Sequence, residues 1–87
     1  MSFDSLQVTV HAREGIVFSG HADAISGKNA KGPFDVLPMH ANFVTTLFES
    51  ITVHSKSENF SRKLDRGLLW ARGGNTIDIY IGIGGEG

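Results

Sequence analysis

The chain of 87 residues contains no cysteine. A disulfide framework, a thiolate metal site and a cysteine nucleophile are thereby excluded, and the fold must rest on its hydrophobic core. A surplus of charge is also missing: eight basic side chains against nine acidic ones leave a formal charge of −1. Nucleic-acid binders use a cationic excess to displace counterions from phosphates, so nucleic acid is not an expected partner. Long apolar runs are absent too. Leu68-Leu69-Trp70-Ala71 is the longest, far short of the roughly 18 residues that a membrane span needs, and direct membrane insertion is not expected. The opening Met1-Ser2-Phe3-Asp4-Ser5 has neither the basic start nor the apolar stretch of a secretory signal, which favours the cytoplasm.

What is present describes one small globular domain. Hydrophobic residues make up 40% and charged residues 20%, an ordinary balance for a chain that folds. The length predicts a single domain over residues 1–87 with flexible ends at 1–4 and 84–87. A domain this small hides only about 60% of the surface of its unfolded chain, so it gains stability from partners.

Periodicity predicts strands throughout. Leu6, Val8, Val10 and Ala12 alternate with Gln7, Thr9 and His11, the period of two of a half-buried strand. Glu14-Gly15 supplies a turn, and Ile16 to Ile25 reads as one extended run that completes a hairpin. The small, polar and basic stretch Ser26 to Pro33 reads as a loop. Phe34 to Leu37 is a short strand stopped by Pro38, since proline lacks an amide donor. The branched β-carbons of Val44, Thr45 and Thr46 favour a strand over a helix between Ala41 and Phe48. Ile51 to His54 alternates again, Ser55 to Asn59 is a polar turn, and Phe60, Arg62 and Leu64 share a face. Leu68-Leu69-Trp70, apolar on both faces, predicts a central strand with Trp70 in the core. After the turn Gly73-Gly74-Asn75, Ile77, Ile79, Ile81 and Ile83 share one face and Thr76, Asp78 and Tyr80 the other. Frequent turns and no helical period predict an all-β fold, a sandwich or barrel.

Candidate chemistry is sparse. His21 and Asp23 fall two residues apart on one strand face, with His11 across the hairpin, which is half of a metal site. Without a His-x-x-x-His or His-Glu-x-x-His pattern these residues read as a polar strand face. His40, at the corner after Pro38-Met39, reads as a residue that fixes the turn. No serine stands in Gly-x-Ser-x-Gly, and neither glycine cluster precedes a helix that could hold a phosphate. Arg62, Lys63, Arg66 and Arg72 form a local basic cluster, most simply a solvated strand face. The residues themselves therefore point to a β-domain that contacts other proteins and name none of them.

The order of the pieces adds a resemblance. Glu14-Gly15, Val17-Phe18-Ser19-Gly20, a loop ending at Gly32, and then Val36-Leu37-Pro38-Met39-His40-Ala41-Asn42-Phe43-Val44-Thr45-Thr46-Leu47 resemble the N-terminal domain of the epsilon subunit of F-type ATP synthases. The resemblance spans most of the chain. It implies a small flattened sandwich of two packed, mostly antiparallel sheets, with no catalytic residue, cofactor or metal. In that family the domain sits at the foot of the central stalk, peripheral to the cytoplasmic face of the membrane. There it binds the gamma subunit, rests on the membrane rotor ring and helps couple ring rotation to the catalytic head during proton- or sodium-driven ATP synthesis. By position, Lys31, Gly32, Pro33 and Phe34 would face the rotor ring. The corner Met39, His40 and Ala41, with the strand that follows from Phe43, would lie toward gamma. The alternative is a free-standing interaction or ligand-binding sandwich on the same scaffold.

Three departures from the family pattern bear on these expectations. Lys31 and Pro33 stand where acidic residues are usual, which alters the charge offered to the ring. Met39 replaces the glycine of Pro-Gly-His, losing easy access to positive φ and gaining an apolar knob. The family's C-terminal helical hairpin has no counterpart after Ile83, so an inhibitory role is not expected.

Overall fold

The computed structural model describes residues 5–39, 42–56 and 59–82. Its strands are β1 (Leu6–Ala12), β2 (Gly15–Ala22), β3 (Ala24–Asn29), β4 (Gly32–Val36), β5 (Phe43–His54), β6 (Phe60–Arg72) and β7 (Thr76–Ile81), and the described residues contain no helix. All seven strands join one sheet in the order β2-β1-β7-β6-β5-β3-β4. Every pairing is antiparallel except that of β1 with β7.

Two long strands turn this single sheet into a sandwich. β5 and β6 run for 12 and 13 residues, yet β7 pairs with β6 only across Gly67–Arg72. β3 in turn pairs with β5 only across Ile51–His54. One half of the long ribbon therefore belongs with β7, β1 and β2, and the other half with β3 and β4. Between the halves Phe48 pairs with Arg66 and Glu49 with Leu64, which leaves Asp65 unpaired as a bulge. Glu49, opposite it, has φ 71°. A bulge bends and twists its strand, and here the bend folds the sheet onto itself.

Burial follows from that fold. Val8, Val10, Ile25, Leu47, Ile51, Val53, Leu69 and Ile79 are fully buried and belong to one core cluster. An uncovered single layer would leave both faces of every strand wet, and with no helix among the described residues to cover one, only the sheet's other half can exclude water. The molecule is correspondingly flat, 39 × 26 × 19 Å. The expected sandwich is present, with its two layers continuous through β5 and β6. The bulge also switches the alternation on β6: Phe60, Arg62 and Leu64 are half-buried before it, and Leu69 and Ala71 are buried after it.

Several local expectations hold. Leu6, Val8, Val10 and Ala12 are the buried face of β1, and Ile77, Ile79 and Ile81 are buried on β7, while Ile83 lies outside the described residues. Gly74 and Asn75, with φ 74° and 61°, make the β6–β7 turn. Other expectations are corrected. The run from Ile16 to Ile25 breaks at Asp23, whose N–H donates to the His54 carbonyl at 2.7 Å as the chain passes from β1's neighbour to β5's. Ser26 to Pro33 is not a loop but most of the β3–β4 hairpin. It mimics a loop because β3 carries no apolar residue after Ile25, and β4, which begins at Gly32, is an edge strand. There Pro33 needs no ladder donor on its open side, and the Phe34 ring covers Gly27, lying 3.2 Å from where a Cβ would stand. Leu68 and Trp70 face outward on a central strand with only Leu69 buried, so Trp70 is not a core residue.

Gly67 is required by space. A Cβ there would stand 2.7 Å from the Tyr80 carbonyl and 3.1 Å from Ile81 Cγ2, whereas at Gly20 it would meet only Phe18 Cζ at 3.9 Å. Gly67→Ala is expected to lower the unfolding free energy by about 1–3 kcal/mol, the usual range for overpacking. Gly20→Ala should fall well below that. Urea denaturation of both variants measures the difference, and equal losses would refute the steric account.

Candidate functional site

The residues expected to meet partners fall on two elements. Lys31 is exposed at the β3–β4 turn, where its N–H donates to Asn29 Oδ1 at 2.9 Å. Gly32 has φ 121°, a conformation that side chains rarely adopt. Pro33 is exposed, while Phe34 packs against the core and over Gly27. At the corner, Met39 is 71% exposed with φ 75°, and its N–H donates to Asn75 Oδ1 at 2.7 Å. Phe43 begins β5 and packs against the core. His40 and Ala41 lie outside the described residues. Asn29 Nδ2 donates to Thr45 Oγ1 at 3.1 Å, so the β3–β4 turn is tied to the start of β5. Both groups therefore stand near one end of that strand, with Lys31, Pro33 and Met39 outward and both phenylalanines directed to the core.

The outer face of β6, β7 and β1 carries a polar network that periodicity did not reveal. Asp78, an outward position on β7, is buried. Arg72 Nη2 donates to Asp78 Oδ2 at 2.6 Å. His11 Nε2 lies 3.1 Å from Asp78 Oδ1, and since a carboxylate only accepts, that nitrogen carries the proton. The His11 ring stacks on Tyr80 with centroids 4.5 Å apart and planes 10° from parallel. The Arg72 guanidinium stands 5.3 Å from the Trp70 ring centre, within cation–π range. An acid among isoleucines was the sequence signal, but its partners lie on two other strands. Beside the network, Leu68 and Val44 extend an exposed apolar strip, Val44 opposite Trp70 across the β5–β6 ladder. A shallow concavity of about 530 Å³ is lined by Arg66, Gly67, Leu68, Trp70 and Tyr80.

Other candidates disperse. His21 and Asp23 are both exposed, and His11, directed to Asp78, pairs near the far end of the β1–β2 hairpin from His21. Among the described residues no three metal-ligating side chains gather. Ser26 Oγ donates to Asp35 Oδ1 at 2.8 Å and stands 2.8 Å from His54 Nε2, a surface chain across β3, β4 and β5. The basic cluster is divided: Arg72 is held by Asp78, and Arg62 makes a forked pair with Glu14, with Nη1 to Oε2 at 3.0 Å and Nη2 to Oε1 at 3.3 Å. That hydrogen-bonded guanidinium holds the Glu14 carboxyl below its ordinary value.

Two expectations follow from these contacts. Asp78→Ala removes a buried acceptor shared by an arginine and a histidine and is expected to cost about 2 kcal/mol of stability. Denaturant titration measures it, and a loss no larger than that of His11→Ala would show that Arg72 gains nothing from the pair. Arg62→Ala should raise the Glu14 pKa toward that of an ordinary glutamate, read by NMR titration of that carboxyl. A depressed carboxylate adds stability above its unfolded pKa and loses it as pH falls through the folded one, so the wild-type advantage over Arg62→Ala should shrink on acidification. An unmoved Glu14 titration would sink the assignment.

The geometry has clear relatives. The family described as ATP synthase, Delta/Epsilon chain, beta-sandwich domain, matches residues 5–69. A chain of the cryo-EM structure of the Euglena gracilis mitochondrial ATP synthase, OSCP/F1/c-ring in rotational state 1, superposes with a TM-score of 0.81 at 16% identity, covering 90% of this chain and 51% of that one. A chain of the Tetrahymena thermophila mitochondrial ATP synthase central stalk/c-ring gives a TM-score of 0.74 at 12% identity, covering 94% and 66%. At such identities the likeness is one of fold, and the chain spans only about half of the first relative and two thirds of the second. No curated protein sequence matches it. The family match runs from β1 through most of β6 and takes in both the β3–β4 hairpin and the Met39 corner, and the chain belongs to the ATP synthase delta/epsilon family as a beta-sandwich domain.

Proposed function

We propose that this chain is a non-catalytic rotor subunit of the central stalk of an F-type ATP synthase, which helps couple rotation of the membrane ring to the catalytic head. The observation that carries the reading is the family match over residues 5–69 on the matching fold. The described residues fit such a role: no helix is long and apolar enough to cross a membrane, and the exposed side chains at the β3–β4 turn and the Met39 corner suit contact with neighbours. In this reading Lys31, Gly32 and Pro33 face the rotor ring, with Phe34 anchoring their hairpin to the core. Met39, His40 and Ala41 face gamma, with Phe43 fixing the start of β5. The domain is then peripheral to the membrane, held at its cytoplasmic face by the complex.

Tagged chain expressed in cells that assemble the synthase should recover gamma and ring subunits together. Recovery of the chain alone from such cells would overturn the proposal in favour of a free-standing interaction module. Within the complex, His40→Ala should weaken capture of gamma more than His54→Ala, whose imidazole is engaged by Ser26 on another part of the sheet. Equal affinities would count against the assignment of the corner to gamma.

A further inference from the structure

A bent ribbon leaves strand edges that a flat sheet would not have. β3 pairs with β5 only across Ile51–His54, and β7 with β6 only across Gly67–Arg72. Among the described residues, the first half of β5 and the first half of β6 therefore each lack a strand on one side, and β2 and β4 end the sheet. Open edges pair with other chains unless something blocks them. On β2, Val17 is left without a partner between the Val10–Phe18 and His11–Ile16 pairs, a protecting bulge. β4 is five residues long and carries Pro33 and Asp35. β6 carries Arg62 and Lys63. The edge of β5, Phe43-Val44-Thr45-Thr46-Leu47-Phe48, has no proline and no charge, and its ladder stays regular up to Phe48. Its branched and aromatic side chains favour extended backbone.

Register shows which backbone groups that edge leaves open. The Gln7 N–H donates to the Asn75 carbonyl at 2.8 Å, so the groups of Gln7 turn toward β7, and those of its ladder partner Thr76 turn toward β6. Backbone groups alternate in direction along a strand. Asp78 and Tyr80 therefore bond Trp70 and Leu68, while Leu69 and Ala71 bond Thr45 and Phe43. Val44 and Thr46 are left pointing away from the sheet. The Thr46 carbonyl accepts the Thr45 hydroxyl at 3.2 Å, and among the described residues no other bond outside the ladder reaches either residue. Both are exposed, Val44 to 58%.

We propose that the free chain dimerises by antiparallel pairing of this edge with the same edge of a second copy, about a two-fold axis at Thr46. An open edge is completed by an extended strand, and two antiparallel copies related by a two-fold axis exchange the same groups in both directions. With the axis at Thr46, that residue meets its own copy and Val44 meets Phe48, so outward groups face outward groups. Hydroxyl against hydroxyl and valine against phenylalanine are favourable cross-strand pairs. Charge separates this edge from the others: a two-fold seam on β6 would bring Arg62 and Lys63 toward their own copies, whereas the β5 seam opposes no like charges. The dimer belongs to the free chain and does not depend on the stalk reading. Its seam is small beside the roughly 1,600 Å² of a standard interface, so a dissociation constant in the micromolar range or weaker is expected.

Sedimentation equilibrium of the intact chain from about 1 μM to about 1 mM should show a monomer–dimer equilibrium. Thr46→Lys sets two ammonium groups face to face, and Thr46→Pro removes an outward N–H that the ladder does not use. Each should weaken the dimer about tenfold or more. Thermal melts check that both variants fold, and where the proline variant melts early the lysine variant decides. Ser19→Lys, at an exposed position on the blocked β2 edge, should leave the dimer unchanged. The chain has no cysteine, so Thr46→Cys reports the register: paired Cα atoms about 5.5 Å apart lie within disulfide reach. Mild oxidation should link its copies and leave Ser19→Cys unlinked. Wild type that stays monomeric throughout would overturn the proposal, whether the edge then proves idle or takes a strand from another protein. A dimer indifferent to both Thr46 variants, or linked as readily through Ser19→Cys, would put the seam elsewhere and refute it.

Discussion

The whole molecule depends on the bend in one ribbon. β5 and β6 are each long enough to serve two layers, and the unpaired Asp65, opposite Glu49 in its left-handed conformation, turns the ribbon between them. Without that bend the sheet would be a single open layer, and the now buried isoleucines and valines of β1, β3, β5 and β7, among them Val10, Ile25, Ile51 and Ile79, would face water. With it, those side chains meet from both directions and exclude water. Apolar burial is the main favourable term in folding, so the geometry of one extra residue decides whether this sequence has a core at all.

A second constraint acts on the outer face. The β1–β7 pairing is the one parallel ladder in the sheet, extending from Gln7–Thr76 to His11–Tyr80. Parallel pairing is slightly weaker per residue than antiparallel pairing. The Arg72–Asp78–His11 chain runs across that junction and joins three strands through one buried carboxylate. The His11–Tyr80 stack adds a cross-strand contact at the end of the same ladder. Asp78 is tolerable there because both of its oxygens have donors; a half-satisfied carboxylate would weaken the face it now knits together.

These two devices leave a domain that holds itself together from the inside and offers side chains outward at one end. Phe34 and Phe43 point to the core and give the β3–β4 hairpin and the start of β5 their purchase. Lys31, Pro33 and Met39 are thereby presented on backbone that is held by hydrogen bonds rather than left to wander. For a protein whose proposed work is to transmit torque between neighbours, a stiff scaffold with exposed contact residues suits the task better than a pocket.

The alternation of Leu6 to Ala12 and of Ile77 to Ile81 determined, without coordinates, which faces of β1 and β7 are buried, because a strand's side-chain period is local. The turn at Gly73-Gly74-Asn75 and the all-β class were legible for the same reason. The family resemblance was carried by Val36 to Leu47, a contiguous stretch whose order survives any folding. Half of the β3–β4 hairpin was hidden, since Ser26 to Asn29 on β3 are glycine and polar residues with no apolar alternation. Trp70 was misassigned because composition distinguishes apolar from polar but not the core face of a central strand from its outer face. The partners of Asp78, the bulge that folds the sheet, and the strained outward setting of Met39 were decided only by tertiary structure. Each arises between strands far apart in the chain, where pairing register and not local sequence sets which atoms meet.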